Sequence, residues 1–471
     1  MMVKYDLVVI GSGPAGEKAA VKAAYFGKKV ALIEKEINYG GAGVQTGTIP
    51  SKTLKESALH FSGVYKKGIY GLDYQFSHKA TVNDFMFRKK VVSEAIGNEV
   101  HDNLDRHGVD IINGTAQFIS SHQINIKAKN GGSSIIEAKY IIIATGSYPF
   151  HPEHIPFDGT RIHDSNTILD IKKFPASMLV VGAGVIASEY ATIYAAMGVK
   201  VILVNNRSTV LNFADKEISE AIKDEMSKSG ITFYDNTDVR QIEVPASSKD
   251  SLKIELEAQE QLEVDMFLFA AGRNGNTKAL NLNNAGLIAG KRELIEVNKN
   301  YQTSVSHIYA VGDVIGFPAL ASTSMEQGRM AIGHMFAAGD LENVSNIFPF
   351  GIFTIPEISM VGLTEEETKE AKIDYCVGRS YYKNIARARI KMDDDPGFMK
   401  LIFDKKTMVI LGVHIIGQLA TEIIHYGLTL VKDKCTVNDI ISTVFNYPTL
   451  HDLYKYAAYD GLGNQVGHTV K

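Results

Sequence analysis

Two copies of one glycine-rich pattern, starting 171 positions apart at Gly11 and Gly182, constrain the fold of this chain more than any other feature. Each copy has an apolar run, a Gly-x-Gly-x-x-Gly/Ala turn, a helical pattern and a second apolar run: DLVVIGSGPAGEKAAVKAAYFGKKVALIEK and MLVVGAGVIASEYATIYAAMGVKVILVNNR. In such a turn the first glycine permits a tight bend, the second lets backbone approach a pyrophosphate, and the third position lets the helix pack closely on the strand. The copies predict two nucleotide sites, formed by Gly11, Gly13 and Gly16 and by Gly182, Gly184 and Ala187.

The copies differ at the position that selects the nucleotide. Twenty-three residues after the first glycine, the first copy has Glu34, whose carboxylate can accept hydrogen bonds from free ribose hydroxyls. The second copy has Asn205, followed by Asn206 and Arg207. A carboxylate would repel a 2′-phosphate, whereas a neutral amide does not and an adjacent guanidinium can bind one. The second site is predicted to accept NADP as well as NAD; the alternative is a solvated loop at a strand end.

Length and composition limit the class of protein. The 471 residues suit about three domains, with 45% hydrophobic and 22% charged residues, as in soluble globular proteins. A net charge of −4 gives no reason to expect nucleic acid or an anionic membrane as a partner. The first apolar run is too short for a signal peptide, and we expect a cytoplasmic protein. The two cysteines, Cys376 and Cys435, lie in no metal-ligand spacing and are predicted to be small buried hydrophobes.

The rest of the chain alternates between predicted strands and helices. A helical region from 48 to 106 precedes strand-like runs VDIINGTAQF, QINIKA and KYIIIATGSYPF, and the second nucleotide unit closes with FLFAAGRNGNT. Asp313 follows the strand in HIYAVGDVIG, ahead of a helical pattern from Ala321 to Ala338, where a carboxylate can bind a ligand hydroxyl or cap the helix.

The last part of the chain shows a different pattern. From about Phe348, the runs SYYKNIARARIKM and GFMKLIFDKKTMVILGVHIIG predict an antiparallel sheet with helices on one face. This part has no phosphate-binding turn, and we expect it to serve packing or dimerisation.

The order of motifs GSGPAG, GTIPSK, ATG, GAGVIASE, AAGRNGNT, VGDV and FNYPTL resembles the flavoprotein disulfide reductase family over nearly the whole chain. The resemblance implies an α/β fold with two Rossmann-like dinucleotide-binding domains plus a C-terminal α+β dimerisation domain. The expected ranges are an FAD-binding domain at 1–147, an NAD(P)-binding domain at 148–276, a central segment completing the FAD domain at 277–345 and an interface domain at 346–471. The resemblance also implies a homodimer, and a higher homo-oligomer is an open alternative.

Two departures from the family pattern bear on function. Disulfide reductases of this family have GGxCxxxxCIPSK, whereas this chain has Gly43 and Thr48 at the two cysteine positions, so thiol–disulfide exchange cannot occur there. The family's His-Pro-Thr-x-x-Glu segment is here Tyr447-Pro448-Thr449-Leu450-His451-Asp452. A phenol is a poor general base near neutral pH, and His451 is out of register with the family's base.

Other parts of the family's site are retained. Lys52 matches the lysine near flavin N5 and Glu189 matches its carboxylate partner, which implies a catalytic pair; the alternative is an ordinary ion pair. The residues expected at FAD are Gly11, Gly13, Gly16, Glu34, Lys52, Ala116, Thr145, Gly146, Asp313 and Ala321. Those expected at NAD(P) are Gly182, Gly184, Ala187, Asn205, Asn206, Arg207 and Gly272.

Within the family, GTIPSK together with FNYPT most resembles the branch of soluble, Si-specific pyridine nucleotide transhydrogenases. This resemblance implies ping-pong hydride transfer from NADPH to NAD⁺ through bound FAD, although that branch usually keeps the first cysteine, here Gly43. Three alternatives stay open. They are a diaphorase or quinone reductase of the same fold, a disulfide reductase that uses a distant cysteine pair, and a non-catalytic FAD-binding redox sensor.

Overall fold

The computed structural model describes residues 3–63, 80–247, 250–337, 347–391 and 396–467. The chain forms two compact units, each built from three separate stretches. The first unit comprises Met1–Thr53, Met86–Pro152 and Gly272–Val344. The second comprises Leu54–Phe85, Glu153–Ala271 and Ser345–Lys471.

The strands and helices are numbered in chain order. Up to Pro149 they are β1 (Val3–Ile10), α1 (Pro14–Tyr25), β2 (Val30–Glu34), α2 (Gly41–Gln45), α3 (Thr48–Ser62), α4 (Val82–Arg106), β3 (Asp110–Asn113), β4 (Thr115–Phe118), β5 (Gln123–Lys127), β6 (Ser133–Ile143) and β7 (Ser147–Pro149). Up to Gly275 they are β8 (Ile162–Asp164), β9 (Ser177–Val181), α5 (Val185–Ala196), β10 (Lys200–Asn205), α6 (Lys216–Lys228), β11 (Thr232–Asp235), β12 (Val239–Glu243), β13 (Leu252–Leu256), β14 (Gln261–Val264), β15 (Met266–Phe269) and β16 (Arg273–Gly275). The remainder are β17 (Ile308–Ala310), α7 (Ala321–Phe336), β18 (Phe350–Ile352), β19 (Ile358–Gly362), α8 (Glu365–Glu370), β20 (Tyr375–Tyr381), α9 (Ala386–Lys391), β21 (Phe398–Asp404), β22 (Ile410–Ile416), α10 (Ala420–Lys432), α11 (Val437–Ser442) and α12 (Asp452–Gln465).

A mixed sheet forms the centre of the first unit. Its order is β3-β2-β1-β6-β5-β4, with β17 also paired to β6. Strand β1 runs parallel to β2 and β6, as a strand–helix–strand connection requires, while β4 and β5 pair antiparallel. Helix α7 packs closely against α1 at Gly328. A Cβ added to Gly328 would lie only 2.3 Å from the Ala15 carbonyl oxygen. Because β1 and β17 both pair parallel to β6, the carboxyl ends of these three strands lie at one edge of the sheet.

The second unit contains a parallel sheet in the order β11-β10-β9-β15-β8 and an antiparallel sheet β12-β13-β14. It also contains an antiparallel sheet β18-β19-β22-β21-β20, against which α10 and α12 pack. The expected α/β class, with two Rossmann-like parts and a C-terminal α+β part, is confirmed. The four expected domain ranges stay predictions, and positions 345 and 346 lie outside the described residues.

A buried ion cluster lies between α6 and β21 in the second unit. The Lys400 Nζ is 2.9 Å from Asp215 Oδ1 and 2.7 Å from Glu365 Oε2, with Lys400 and Asp215 at 1% and 0% side-chain exposure. Backbone N–H groups of Glu217 and Glu365 also donate to Asp215. Burial by itself raises the pKa of the Asp215 carboxyl, but the neighbouring His414, Lys400 and the Glu365 N–H together hold that pKa below its usual range.

The structure corrects one expectation and bounds others. The run SYYKNIARARIKM does not continue as a strand: β20 ends at Tyr381 and α9 follows at Ala386–Lys391, with Met392 outside the described residues. Helix α7 ends at Phe336, and Ala338 lies outside the described residues, as do positions 64–79 of the expected helical region. Cys376 is buried as expected, whereas Cys435 is only partly buried; burial raises the pKa of both thiols.

No helix in the described part of the chain is long and apolar enough to cross a membrane.

Candidate functional site

The first glycine-rich turn joins β1 to α1 with no room for side chains at two positions. Gly11 has φ +108°, and a Cβ there would lie 2.5 Å from the Ala144 carbonyl oxygen. At Gly16 a Cβ would lie 1.9 Å from the Gly11 carbonyl oxygen. At Gly13 the nearest atom to an added Cβ is 3.9 Å away, at Gly41 Cα. Gly13 is therefore the position where backbone is open to an approaching phosphate.

The Glu34 carboxylate is organised by the same turn. Glu34 is 6% exposed, and its Oε2 accepts from the Ser12 backbone N–H at 2.8 Å and from the Ser12 hydroxyl at 2.7 Å. Its Oε1 accepts from the Glu36 N–H at 2.9 Å. The Gly40 N–H in turn donates to Ser12 Oγ. These bonds fix the direction of the carboxylate and leave acceptor capacity for a further hydroxyl.

Arg273, Ser147 and Asp313 are linked by hydrogen bonds that the sequence did not predict. The Ser147 hydroxyl donates to Asp313 Oδ2 at 2.8 Å, and Arg273 Nε donates to Ser147 Oγ at 2.8 Å. Arg273 Nη2 also donates to the Ser147 carbonyl oxygen at 2.8 Å. Strands β7 and β16 pair antiparallel at this point. Asp313 is therefore oriented by Ser147 and Arg273; it lies in a 3-10 turn, Gly312–Ile315, rather than capping α7.

The carboxyl edge of the first sheet has features that fit a bound flavin dinucleotide. The Thr145 hydroxyl is buried and has no hydrogen-bond partner among the described residues, and no atom lies within 4 Å of a Cβ added to Gly146. Ala116 is buried in β4, and Ala321 is the first residue of α7. Lys52 lies in α3 and its Nζ is 3.3 Å from Ser51 Oγ. The glycine cradle, the unpartnered hydroxyl and the fixed carboxylates suit the phosphate and hydroxyl groups of FAD.

The second glycine-rich turn joins β9 to α5 and repeats the geometry of the first. Gly182 has φ +117°, and an added Cβ would lie 3.0 Å from the Ala270 carbonyl oxygen. Gly184 is the N-cap of α5 with ordinary φ −83°, and no atom lies within 4 Å of a Cβ built there. Ala187 is fully buried in the first turn of α5. Since Gly184 is itself the N-cap, this open space lies at the N-terminus of α5, where helix N–H groups can bind a pyrophosphate.

The strand end after this turn carries Asn205, whose amide is hydrogen-bonded to the loop that follows. Asn205 is 5% exposed, and its Nδ2 donates to the carbonyl oxygens of Arg207 at 2.8 Å and Thr209 at 3.0 Å. Asn206 and Arg207 are exposed. Arg207 forms no ion pair within the described residues. Gly272, the remaining residue expected at NAD(P), lies in the first unit, just before β16.

Glu189 is buried in α5 and bonded to the segment that precedes β19. Its Oε1 accepts from the Phe353 N–H at 2.9 Å, and the Ile355 N–H donates to Thr192 Oγ1, one turn further along α5. The same segment holds Glu357, which forms a buried ion pair with Lys55 of α3 and accepts from the Thr421 hydroxyl. Residues 353–357 thus tie α5 to α3, which also carries Lys52. The sequence did not single out Lys55 or Glu357.

The residues at the positions where family members have redox cysteines and a histidine base cannot carry out thiol chemistry. Gly43 lies in α2, and a Cβ there would be 2.9 Å from Pro14 Cγ, so a cysteine would require Pro14 to move. Thr48 is the first residue of α3. Tyr447 is 76% exposed. His451 precedes α12 near the rings of Tyr426, Phe445 and Tyr454, and burial lowers its pKa.

Two family profiles match the chain. The profile described as pyridine nucleotide-disulphide oxidoreductase matches residues 5–328, and the one described as its dimerisation domain matches residues 348–458.

Individual relatives match over nearly the full length. The chain is 42% identical over 460 residues to a soluble pyridine nucleotide transhydrogenase of Mycobacterium bovis, covering 98% of this chain and 97% of that protein. It is 40% identical over 461 residues to a protein of the same name from Colwellia psychrerythraea, covering 97% and 98%. Among solved structures, LpdA of Mycobacterium tuberculosis has a TM-score of 0.89 at 26% identity, covering 97% of this chain and 99% of that one. The Cu(II) complex of RclA, an HOCl-induced flavoprotein disulfide reductase of Escherichia coli, has a TM-score of 0.86 at 28% identity, with coverage of 97% and 99%.

Proposed function

The chain belongs to the pyridine nucleotide-disulphide oxidoreductase family, and we propose that it is an FAD-dependent transhydrogenase that moves hydride from NADPH to NAD⁺. One observation carries the proposal: both nucleotide turns are intact, while the redox cysteine positions hold Gly43 and Thr48. Without thiols beside the flavin, electrons taken from one nicotinamide nucleotide must leave by another route. The relatives named as transhydrogenases support return of the electrons to a second nicotinamide nucleotide.

Residues of the first unit are proposed to hold FAD. Gly11, Gly13 and Gly16 would place the N-terminus of α1 against its pyrophosphate, Glu34 would accept from the adenosine ribose, and Asp313 would accept from the ribityl chain. Thr145, Gly146, Ala116 and Ala321 would complete the pocket. When bound, FAD would supply a carrier that accepts a hydride from one nicotinamide and returns it to another.

Lys52 and Glu189 are proposed as the catalytic pair. A lysine ammonium beside a developing negative charge stabilises that charge without being consumed. The Glu189 carboxylate accepts a hydrogen bond from the Phe353 N–H, which fixes its direction. The helix that carries Lys52 also carries Lys55, which forms a buried ion pair with Glu357.

The second unit is proposed to bind both substrates in turn. Gly182, Gly184 and Ala187 form the pyrophosphate turn, which is common to NADPH and NAD⁺. The adenosine ends of the substrates differ by one phosphate. The exposed Arg207 guanidinium can pair with that phosphate when NADPH is bound and can remain in water when NAD⁺ is bound. A single site therefore suits a ping-pong exchange.

We further propose a homodimer formed through the region matched by the dimerisation profile, and a cytoplasmic location, as the word "soluble" in the relatives' names suggests.

An assay of hydride transfer by the purified, flavin-containing protein tests the proposed function directly. NADPH and thio-NAD⁺ are mixed without oxygen, and the absorbance of thio-NADH is followed, with a quinone as acceptor in a parallel reaction. Rapid formation of thio-NADH supports the transhydrogenase. Electron transfer to the quinone alone would make the protein a quinone reductase, and failure of NADPH to bleach the flavin would make it a non-catalytic flavin-binding protein.

A further inference from the structure

At the end of β10, the side-chain amide of Asn205 forms its hydrogen bonds with the loop that follows. A side-chain amide nitrogen carries two hydrogens, and both hydrogens of Asn205 Nδ2 go to backbone carbonyls of the following loop, at Arg207 and Thr209. The remaining atom, Oδ1, accepts no hydrogen bond from the described residues. Asn205 thus has its donors inside the loop and its acceptor free.

The loop 206–209 follows β10 and leads towards α6. It contains no helix or strand, and its four residues are exposed. Besides Asn205, its anchors are few. Lys223 Nζ of α6 donates to the Ser208 carbonyl oxygen at 2.9 Å, and the Asn236 N–H lies 3.4 Å from the Arg207 carbonyl oxygen. The shortest of these bonds, at 2.8 Å, joins Asn205 to Arg207 itself.

We propose that Asn205 is a positioning residue for nucleotide selectivity. Its two N–H groups hold the loop in the conformation that presents Arg207 to the 2′-phosphate of NADPH, while its Oδ1 is left to accept from a ribose hydroxyl. This inference rests on the proposed function, because it assumes that the second unit takes both nucleotides. It adds that selectivity acts through the loop, and that Asn205 contributes to phosphate binding only by way of Arg207.

The chemistry of the side chain explains why an amide is required here. An ionised aspartate has no donor, so it would leave two carbonyl oxygens facing a carboxylate at a position that is nearly buried. Carbonyl oxygens that lose their donors no longer hold the loop in the conformation that these two bonds define. The amide therefore does more than remove a negative charge from the phosphate's surroundings; it provides the two bonds that shape the loop.

A double-mutant cycle distinguishes positioning from direct contact. Affinities for adenosine 2′,5′-bisphosphate and for 5′-AMP are measured by calorimetry on the flavin-containing wild type, Asn205→Ala, Arg207→Ala and the double variant. We expect Asn205→Ala to lower the preference for the bisphosphate about tenfold in the wild-type background and less than about twofold in the Arg207→Ala background. Thr209→Ala is the matched control, because it keeps the backbone carbonyl that Asn205 uses, and its preference should stay unchanged.

An equal loss of preference in both backgrounds would show direct contact and overturn the proposal, as would no loss in either. Asn205→Ser, which keeps a polar group in the same buried space, is measured in parallel as a safeguard against misfolding and should give a similar loss. Lys223→Met, which releases another anchor of the loop, should lower the preference to a smaller degree. Binding data that follow this pattern without any NADPH-to-thio-NAD⁺ transfer would refute the proposed function and leave the role of Asn205 standing.

Discussion

Gly184→Ala in the second unit is expected to weaken nucleotide binding while leaving the fold intact. No protein atom lies within 4 Å of the added methyl carbon, and the backbone there, at φ −83° and ψ −172°, suits any residue. Alanine is a poorer N-cap than glycine, but it also lowers the entropy of the unfolded chain. These effects oppose each other, so the free energy of unfolding should change by less than about 1 kcal/mol.

The same methyl group would stand where a pyrophosphate must approach the backbone. We expect the affinity for NADPH and NADH to fall at least about tenfold, which corresponds to about 1.4 kcal/mol. The two losses should agree within about threefold, because the pyrophosphate is common to both nucleotides. The assay is anaerobic stopped-flow bleaching of the bound flavin at a series of concentrations of each nucleotide.

Gly13→Ala provides the matched comparison in the first turn. Its added methyl would meet only Gly41 Cα at 3.9 Å, so the fold should again tolerate it, but the protein should be purified with little bound flavin. Gly184→Ala, by contrast, should be purified yellow. Unchanged nucleotide affinity in a yellow Gly184→Ala protein would refute the placement of the pyrophosphate at this turn.

Three further outcomes are expected. Lys400→Met should destabilise the fold by about 3–5 kcal/mol in urea unfolding, because it leaves the buried Asp215 carboxylate without its lysine partner. Lys228→Met, which removes an exposed ion pair, should leave Tm unchanged. Burial holds the pKa of His414 below the unfolded value of about 6.5, so the unfolded chain binds a proton there that the folded chain does not. Tm should therefore fall as the pH drops below about 6.5, and it should fall less steeply in His414→Gln. Equal slopes of Tm against pH in the two proteins would contradict this prediction. Asp313→Ala should weaken FAD binding at least about tenfold in dialysis, and full retention of flavin would exclude Asp313 from the site.

Part of the candidate site could be predicted from the sequence because its chemistry depends on backbone conformation. Gly11 and Gly182 both adopt positive φ beside a neighbouring strand end, a geometry that other residues rarely reach. Such positions leave a fixed pattern of glycines in the sequence. Glu34 and Asn205 were found for the same reason, since the end of the second strand lies at a set distance from the turn.

Interactions between distant segments could not be predicted in this way. The bonds from Arg273 to Ser147 and from Ser147 to Asp313 join three stretches of chain, and no spacing in the sequence marks them. The buried pair of Lys55 and Glu357 spans 302 positions. The only available signal was the presence of polar residues immediately after apolar strands or within an apolar helix face.

The incorrect strand prediction near residue 386 has a local cause. In NIARARIK, alternating apolar and polar residues match a strand, but Ile385 and Ala388 are also spaced like one face of a helix, and both are buried. Short apolar runs do not distinguish the two periods. Alanine and arginine are strong helix formers, and α9 is the result.

The central claim is that one nucleotide site in the second unit serves NADPH and NAD⁺ in succession. The most direct test is the initial rate of thio-NAD⁺ reduction, measured without oxygen over a grid of NADPH and thio-NAD⁺ concentrations. Because the first product must leave before the second substrate enters, the double-reciprocal lines should be parallel, and excess NADPH should inhibit competitively against thio-NAD⁺. Lines that intersect would mean that both nucleotides are bound at once, which a single shared site does not allow.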